Sequence, residues 1–591
     1  KDIVSGILIG EYDFLNLKSS LLNNFGIHYS NYQSNAMDQS QNISFSLNFK
    51  PKFLKLLNNN LSIDENTFIK GKFESNGSYE LNLESSFLKF NDISTENIDL
   101  KFTESGGYIN ILNIKSPIIN GNKFKLSSSF NNDLLTVNAS YLSNKNELNR
   151  VNFSHTINEK KMSEIIFKDL ELVINNQNWT IDKNNSQSNP KFIFAWTDKE
   201  YEFEKAYFKS GTQFLDINII ERNNNSNYIL NFENFGLQNF TKPSNKIFFE
   251  GLVNGKIELI KNDGAYEGTS SLKIDDLKAN YKSIGKALLK INASKDLKSF
   301  VMNFIVNNDL NETLSLKGNF GIEKDFYPLD LNLKMKNFDI NPFSKIGDNV
   351  ITDFRGYFNS DVIISGNSSE PNFDGIINTK NVEFLIPYLN VNYKLSNNPR
   401  FKLKKQEFHL INFNLNNTKT QTIGNLNGII THNKFKNWNL DLKIETDNLL
   451  ILDTKFKKDA LYYGKAFLNG NAEIFGPGES LLINLNGSTN KNTFLSIPIN
   501  ESVNTGKLSY LNFVNEENDS SKKGNKSSLK VNLDIDFNDN ANVEVILDPV
   551  SQSKLNVLGN GNLNFQINTQ ASFNIFGNYT VDSGSYFYKS L

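Results

Sequence analysis

The chain has 591 residues, with 62 basic and 64 acidic side chains, a formal charge of −2 and no cysteine. Its mixed charges lack the basic stripe of a nucleic-acid binder. The absence of cysteine excludes disulfides, thiolate metal sites and thiol nucleophiles. No run of 18 apolar residues occurs, so nothing in the given sequence reads as a helix that spans a bilayer.

The sequence opens at Lys1 with the apolar stretch IVSGILIG, too short to cross a membrane. It reads as the C-terminal part of a longer polypeptide, with any anchor or targeting segment upstream. A weak helical signal follows from Phe14 to Leu22. Then a period of two takes over, as in SFSLNF (Phe45, Leu47, Phe49) and YELNLESSF (Tyr79, Leu81, Leu83). Such alternation puts apolar side chains on one face of a strand and polar ones on the other. The pattern recurs in LKIDDLKANY and in LLINLNG (Leu481, Ile483, Leu485). Short breakers such as NNN, SNG and KND supply turns between the strands. Two further segments carry helical signals: DLKSFVMNFIV, and NPFSKIGDNVITDF with Asn341 as cap and Pro342 near its start.

A coarse repeat begins at Gly251 (GLVNGKIELI), Gly356 (GYFNSDVIIS) and Gly464 (GKAFLNGNAEIFG). Gly251 to Gly356 is 105 residues and Gly356 to Gly464 is 108, too long for a solenoid coil. The interval suits multi-strand modules. NEENDSSKKGNKSS, residues 515–528, is the one linker-like stretch and reads as a solvated excursion.

The alternation is strongest at the end of the chain. It runs through Leu529, Val531, Leu533, Ile535 and Phe537, then Val543, Val545 and Leu547, then Leu563, Phe565 and Ile567, then Phe573 and Ile575. These residues are the expected lining of an apolar groove. The last strand continues through Gly577, Tyr579, Val581, Tyr586, Phe587 and Tyr588 with nothing after it to cover its edge. An uncovered edge is a hazard unless something pairs with it, so these residues are the expected partner contact. Gly577 falls in the inward register, where a missing side chain permits a bend or a close backbone approach.

Enzymatic signals are weak throughout. His28, His155, His409 and His432 show no metal spacing, and no phosphate loop, nucleophile elbow or paired-carboxylate motif stands out. Asp534 and Asp536 alternate on the polar side of a strand and read as solvated. Trp179, Trp196 and Trp438 read as packing residues. The expectation is a non-enzymatic protein with no cofactor and no metal. One-sided strands can pair as two sheets of a sandwich, or one sheet can curl around something apolar.

The last two thirds of the chain contain FLIPYLNVNYKL, LNGIITHNKFKNWNLDLKI, LYYGKAFLNGNAEIFGPGESLLI, NTFLSIPI, NVEVILDPVSQSKLNVLGNGNLNFQIN and FNIFGNYTVDSGSYFY. Through these stretches the chain resembles the TamB family of AsmA-like envelope proteins, in its Bacteroidota form. The resemblance implies an all-β fold, an elongated curled antiparallel sheet (a β-taco) with an apolar groove. It implies three segments: a β-repeat groove over 1–250, AsmA-like modules over 251–463 and a terminal domain over 464–591. It further implies a periplasmic bridge that conducts phospholipid between inner and outer membranes. The implied partners are phospholipid acyl chains, an Omp85-type outer-membrane barrel (TamA-like or BamA-like), and the inner membrane through an N-terminal helix. Two alternatives stand beside it: an assembly factor for outer-membrane proteins that templates strands, and a surface β-sandwich adhesin. At about 13 residues per strand and ~4.8 Å between strands, roughly 45 strands would extend on the order of 200 Å.

Overall fold

A computed structural model describes residues 4–13, 15–33, 41–49, 60–65, 67–184, 189–195, 200–240, 247–322, 328–347, 351–433, 436–456, 462–478, 480–498, 528–548, 553–568 and 572–588. The described chain is all-β: thirty-six strands, one α-helix at Leu17–Gly26 and two 3₁₀ turns at Leu237–Asn239 and Asn341–Gly347. The strand count falls below the roughly 45 of the sequence estimate because several strands are long. Lys436–Thr454 runs for 19 residues, well beyond the usual five or six.

The helix expected near Phe14 to Leu22 forms at Leu17–Gly26. Among the described residues of the segment from Asn341 to Phe354, Asn341–Gly347 forms a 3₁₀ turn and a strand begins at Thr352. DLKSFVMNFIV is not helical. Ser299–Asn308 is a strand whose Phe300, Met302, Phe304 and Val306 face Phe320, Gly318, Leu316 and Leu314 of the next strand. Its period of two, carried by β-branched and aromatic residues, overrides the helical signal. The charged stretch 515–528 lies outside the described residues except for Ser528.

The chain divides into two compact units. One comprises Lys1–Phe240, Leu252–Lys273 and Asn292–Leu297; the other comprises Thr241–Gly251, Ile274–Ile291 and Lys298–Leu591. In the first unit, strands pair antiparallel so that equivalent apolar residues fall in one row. Leu47, Ile69, Leu83, Leu100, Ile109, Leu126, Ala139, Val151 and Leu170 are register partners in succession. Each of these nine side chains is half-buried. In the second unit a similar row joins Phe413, Leu426, Ile444, Ala472, Leu485, Leu533, Phe565 and Ile575. Among the described residues, the extensive strand–strand contacts are those between hydrogen-bonded neighbours. The accessible surface is 35595 Å², against about 21,000 Å² for a compact monomer of this mass.

Two features depart from a plain meander. Ser480–Thr489 pairs parallel with Ser528–Phe537, and Thr493–Pro498 pairs parallel with Ala541–Asp548. In addition, long strands alternate with strands broken in two. Glu370–Ile386 pairs with both Val391–Ser396 and Arg400–Lys405, and Glu407–Asn417 then pairs with both. Tyr463–Pro477 and Ser553–Asn568 flank the parallel pieces in the same way.

Many strands also carry an internal bulge whose extra residue has positive φ. Asn234 (φ 49°) lies between Phe232 and Phe235, Asn337 (φ 44°) between Met335 and Phe338, and Asn412 (φ 60°) between Leu410 and Phe413, each at a register shift. The flanking apolar residues are three apart yet all buried. A bulge lets both reach the same side, bends the strand and increases its twist. Asn tolerates the left-handed region better than other non-glycine residues. Two of the three glycines that open the repeat lie against residues of positive φ. A Cβ on Gly356 (φ 129°) would sit 2.7 Å from the carbonyl oxygen of Asn381, itself at φ 52°. Gly251 (φ 154°) meets the Ile274–Leu277 segment around Asp276 (φ 52°) in the same manner.

Replacing Asn412 with Val places a β-branched residue in the left-handed region. The expected cost is about 1–2 kcal/mol, while Asn412→Gly stays within about 0.5 kcal/mol. Urea unfolding of the two variants checks this, and equal stabilities would refute the role assigned to the bulge.

Candidate functional site

The residues expected to line a groove meet in the terminal sheet. Val531 pairs with Ile567, Leu533 with Phe565, and Ile535 with Leu563. Phe565 continues to Ile575 and Leu563 to Gly577. Val543 pairs with Val557, and Val545 with Leu555. All therefore stand on one face. Ile535, Phe537, Val543 and Phe565 form a packed cluster with Leu468, Ile497, Ala541 and Val557. Leu485, Leu495, Leu533, Val545, Leu555, Leu563 and Tyr579 pack against its edges. Val531 and Ile567 are buried as well. Leu547 and Ile575 are open, at 43% and 37% exposure. Leu547 falls at the register shift between Ile546 and Asp548. The strand positions of Leu529 and Phe573 are described, their side chains are not.

This terminal lining differs from the row in the first unit. There the apolar side chains are half-exposed along nine strands; here the central ones close on one another.

The last strand, Ser572–Phe587, pairs over its length with Ser553–Asn568, and among the described residues no strand pairs with its other edge. Gly577 has φ 127°, and a Cβ there would lie 2.1 Å from the carbonyl oxygen of Asn562. Only glycine fits that approach. Tyr579 is half-buried against the Phe537 ring, with centroids 6.1 Å apart. Val581, Tyr586, Phe587 and Tyr588 are exposed, and the rings of Tyr586 and Tyr588 lie 6.3 Å apart.

On the opposite face of the same strands, Glu544 is buried. It accepts hydrogen bonds from Ser496 Oγ (2.8 Å), Tyr463 OH (3.1 Å) and Lys554 Nζ (2.8 Å). The four residues come from four strands, including both partners of one parallel pairing. Burial opposes the charged carboxylate, but the bonds from Lys554, Ser496 and Tyr463 outweigh it and hold the Glu544 pKa below the usual range. This cluster pins the parallel register. Sequence reading did not find it, because its members are scattered and none belongs to a motif.

The remaining polar candidates are held in structural roles. His28 Nε2 donates to the Gly77 carbonyl at 2.9 Å, and His155 lies between Tyr29 OH and Ser163 Oγ. His409 pairs with Glu407, and His432 stacks among Phe373, Phe408 and Trp438. Asp534 and Asp536 both accept from Asn562 Nδ2. Trp179 is buried beside Phe235, and Trp196 lies outside the described residues. A cleft lined by Tyr108, Asn110, Lys125, Arg150 and Asp169 lies on the polar face of the first unit. Its Arg150 is already engaged by Glu171 at 2.8 Å. Among the described residues no helix is long and apolar enough to cross a membrane.

A family model described as the TamB C-terminal domain matches residues 412–589. No curated protein and no solved structure matches the chain.

Lys554→Met leaves Glu544 buried without its cation. The expected loss is about 1–2 kcal/mol at neutral pH, reduced because Lys554 is partly solvated. Since the folded pKa of Glu544 is lowered, the stability it contributes is present at neutral pH and is lost as pH falls through that lowered value. The difference between wild type and variant therefore shrinks below about pH 4. Denaturant midpoints across pH check this, and a pH-independent difference would contradict it.

Proposed function

With membership of the TamB family, carried by residues 412–589, as the premise, we propose that the chain conducts phospholipid across a bacterial envelope, its acyl tails lying on the apolar face of the sheet. The family is envelope-associated and works in transport and assembly together with TamA-type partners. The supporting observation is the in-register apolar row, half-buried along nine successive strands. Moving acyl chains into water costs about 0.8 kcal/mol per methylene, on the order of 20 kcal/mol for a whole phospholipid. A continuous apolar surface removes that barrier without any catalytic group. Headgroups would ride on the wet side.

In this reading Leu529, Val531, Leu533, Ile535, Phe537, Val543, Val545, Leu547, Leu563, Phe565, Ile567, Phe573 and Ile575 line the terminal part of the path. Because the central members are packed together, tails pass there only where the cluster parts. The unpaired edge of Ser572–Phe587 would abut an Omp85-type barrel in the outer membrane, with an inner-membrane helix upstream in the full polypeptide. Strand addition to the barrel's sheet is the geometry that edge offers.

The purified chain should carry phospholipid detectable by mass spectrometry. Val531→Asp combined with Phe565→Asp should reduce co-purified lipid at least fivefold while circular dichroism still reports a β-sheet. Lipid-free wild-type protein would overturn the reading. The open edge also favours a second reading, assembly of outer-membrane barrels by strand templating. Removal of residues 577–591 should abolish capture of the barrel partner under either reading, whereas only the first requires bound lipid. Undiminished capture would remove the edge from both.

A further inference from the structure

The helix Leu17–Gly26 buries its polar residues and leaves its large apolar ones partly or largely open. Ser20, Asn23, Asn24 and Gly26 are buried. Leu22 is 56% exposed, Phe25 is exposed and Leu21 is half-buried. Leu21 and Leu22 stand one turn before Phe25, so the three form one stripe. A helix on a protein surface ordinarily does the reverse.

The buried side is fixed to hairpin turns of the first unit. Asn24 Nδ2 donates to the Glu74 carbonyl at 3.1 Å, and His28, just past the helix, donates to Gly77. Further on, Ser30 donates to both carboxylate oxygens of Asp133 from its amide (2.7 Å) and its hydroxyl (2.6 Å). Asn31 Nδ2 reaches the Ile157 carbonyl at 2.9 Å. The turns at residues 74–78, 131–133 and 158–162 connect three separate hairpins, so the segment is a strap laid along one side of the sheet.

The strap joins the apolar face of that sheet. Phe25 lies 4.7 Å from the ring of Tyr79 and 6.1 Å from that of Phe73. Phe73 and Tyr79 are register partners, and they alternate with Gly71 and Leu81 on the apolar side of their strands. Tyr29 sits 4.9 Å from Phe130, another residue of that side. The apolar stripe of the helix is thus continuous with the apolar row rather than with the solvated face.

We propose that this helix is a roof of the lipid path: its polar side is bonded to the hairpin turns, and Leu21, Leu22 and Phe25 contact the acyl chains of a diacyl phospholipid lying on the row below. The inference rests on the phospholipid reading and adds to it a wall that the strands alone do not supply. Roofed in this way, tails are enclosed at these strands and not merely laid on an open sheet.

The test places the photo-crosslinker p-benzoylphenylalanine, one position at a time, in the full chain. Leu22 probes the roof, Leu83 the apolar row and Glu84 the opposite face of the same strand. Each protein is incubated with vesicles of ³²P-labelled phosphatidylethanolamine and phosphatidylglycerol, irradiated and resolved under denaturing conditions. Labelling at positions 22 and 83, at least tenfold above position 84, supports the roof. Labelling at 83 without 22 overturns the roof and leaves the lipid path standing. No labelling at 83, or at Ile109 used as a second row position, removes the lipid path itself. A protein adduct at 22 in whole cells, without lipid, assigns that stripe to a partner and overturns the proposal.

Discussion

A strand with one greasy face needs that face covered, and here the cover differs from strand to strand: half-buried along the row of the first unit, closed into a cluster in the terminal strands. That constraint shapes the rest. Within each unit a strand must present its apolar residues on the face its neighbours use, and strands bend about that face. The bend is written locally, by bulges in which Asn or Asp adopts the left-handed backbone and two apolar residues, three apart, turn the same way. Phe235, Phe338 and Phe413 all follow such an Asn and all are buried. Where a neighbouring strand must cross close to the bulge, glycine appears, as Gly356 does against Asn381 and Val382.

The terminal sheet answers the same constraint differently. Its apolar residues close on themselves, and its opposite face carries the buried Glu544 cluster. The two belong together. Parallel pairing of Thr493–Pro498 with Ala541–Asp548 has no tight turn to set its register, and a charged side chain bonded to three others tolerates no slip of one residue. The residues that the family model matches thus include a closed apolar cluster. A half-exposed row and a closed cluster are two outcomes of one strand pattern, separated by how fully the apolar side chains are buried.

Much of this was legible in the residues. Alternation at Leu529 to Phe537 and Leu563 to Ile575 placed the strands and their inward face, because a period of two leaves no choice of side. The edge strand and the inward Gly577 were legible for the same reason. Alternation failed where the period changes. At FENF, MKNF and LINF the apolar residues are three apart, which reads as noise or as a trace of helix. This recurrent apolar-x-Asn-Phe is the signature of the bend, and asparagine serves it because it tolerates the left-handed backbone. The DLKSFVMNFIV segment was misjudged because an almost unbroken apolar run fits either period. The parallel pairings were not legible, since they depend on which strands meet after a long connection. The helix was placed by sequence, but its inverted orientation was not: which side of a helix is bonded to turns fifty or a hundred residues away leaves no local trace.

The bulges carry a consequence for how such a chain changes over generations. A hairpin that carries a bulge brings its own instruction to bend, encoded within a few residues, and its neighbours need only continue the row. Duplicating or losing one pair of strands therefore alters reach by about 9.6 Å and leaves every other bend intact. A sheet built this way can gain or lose width in fixed increments, without redesign of the strands that stay.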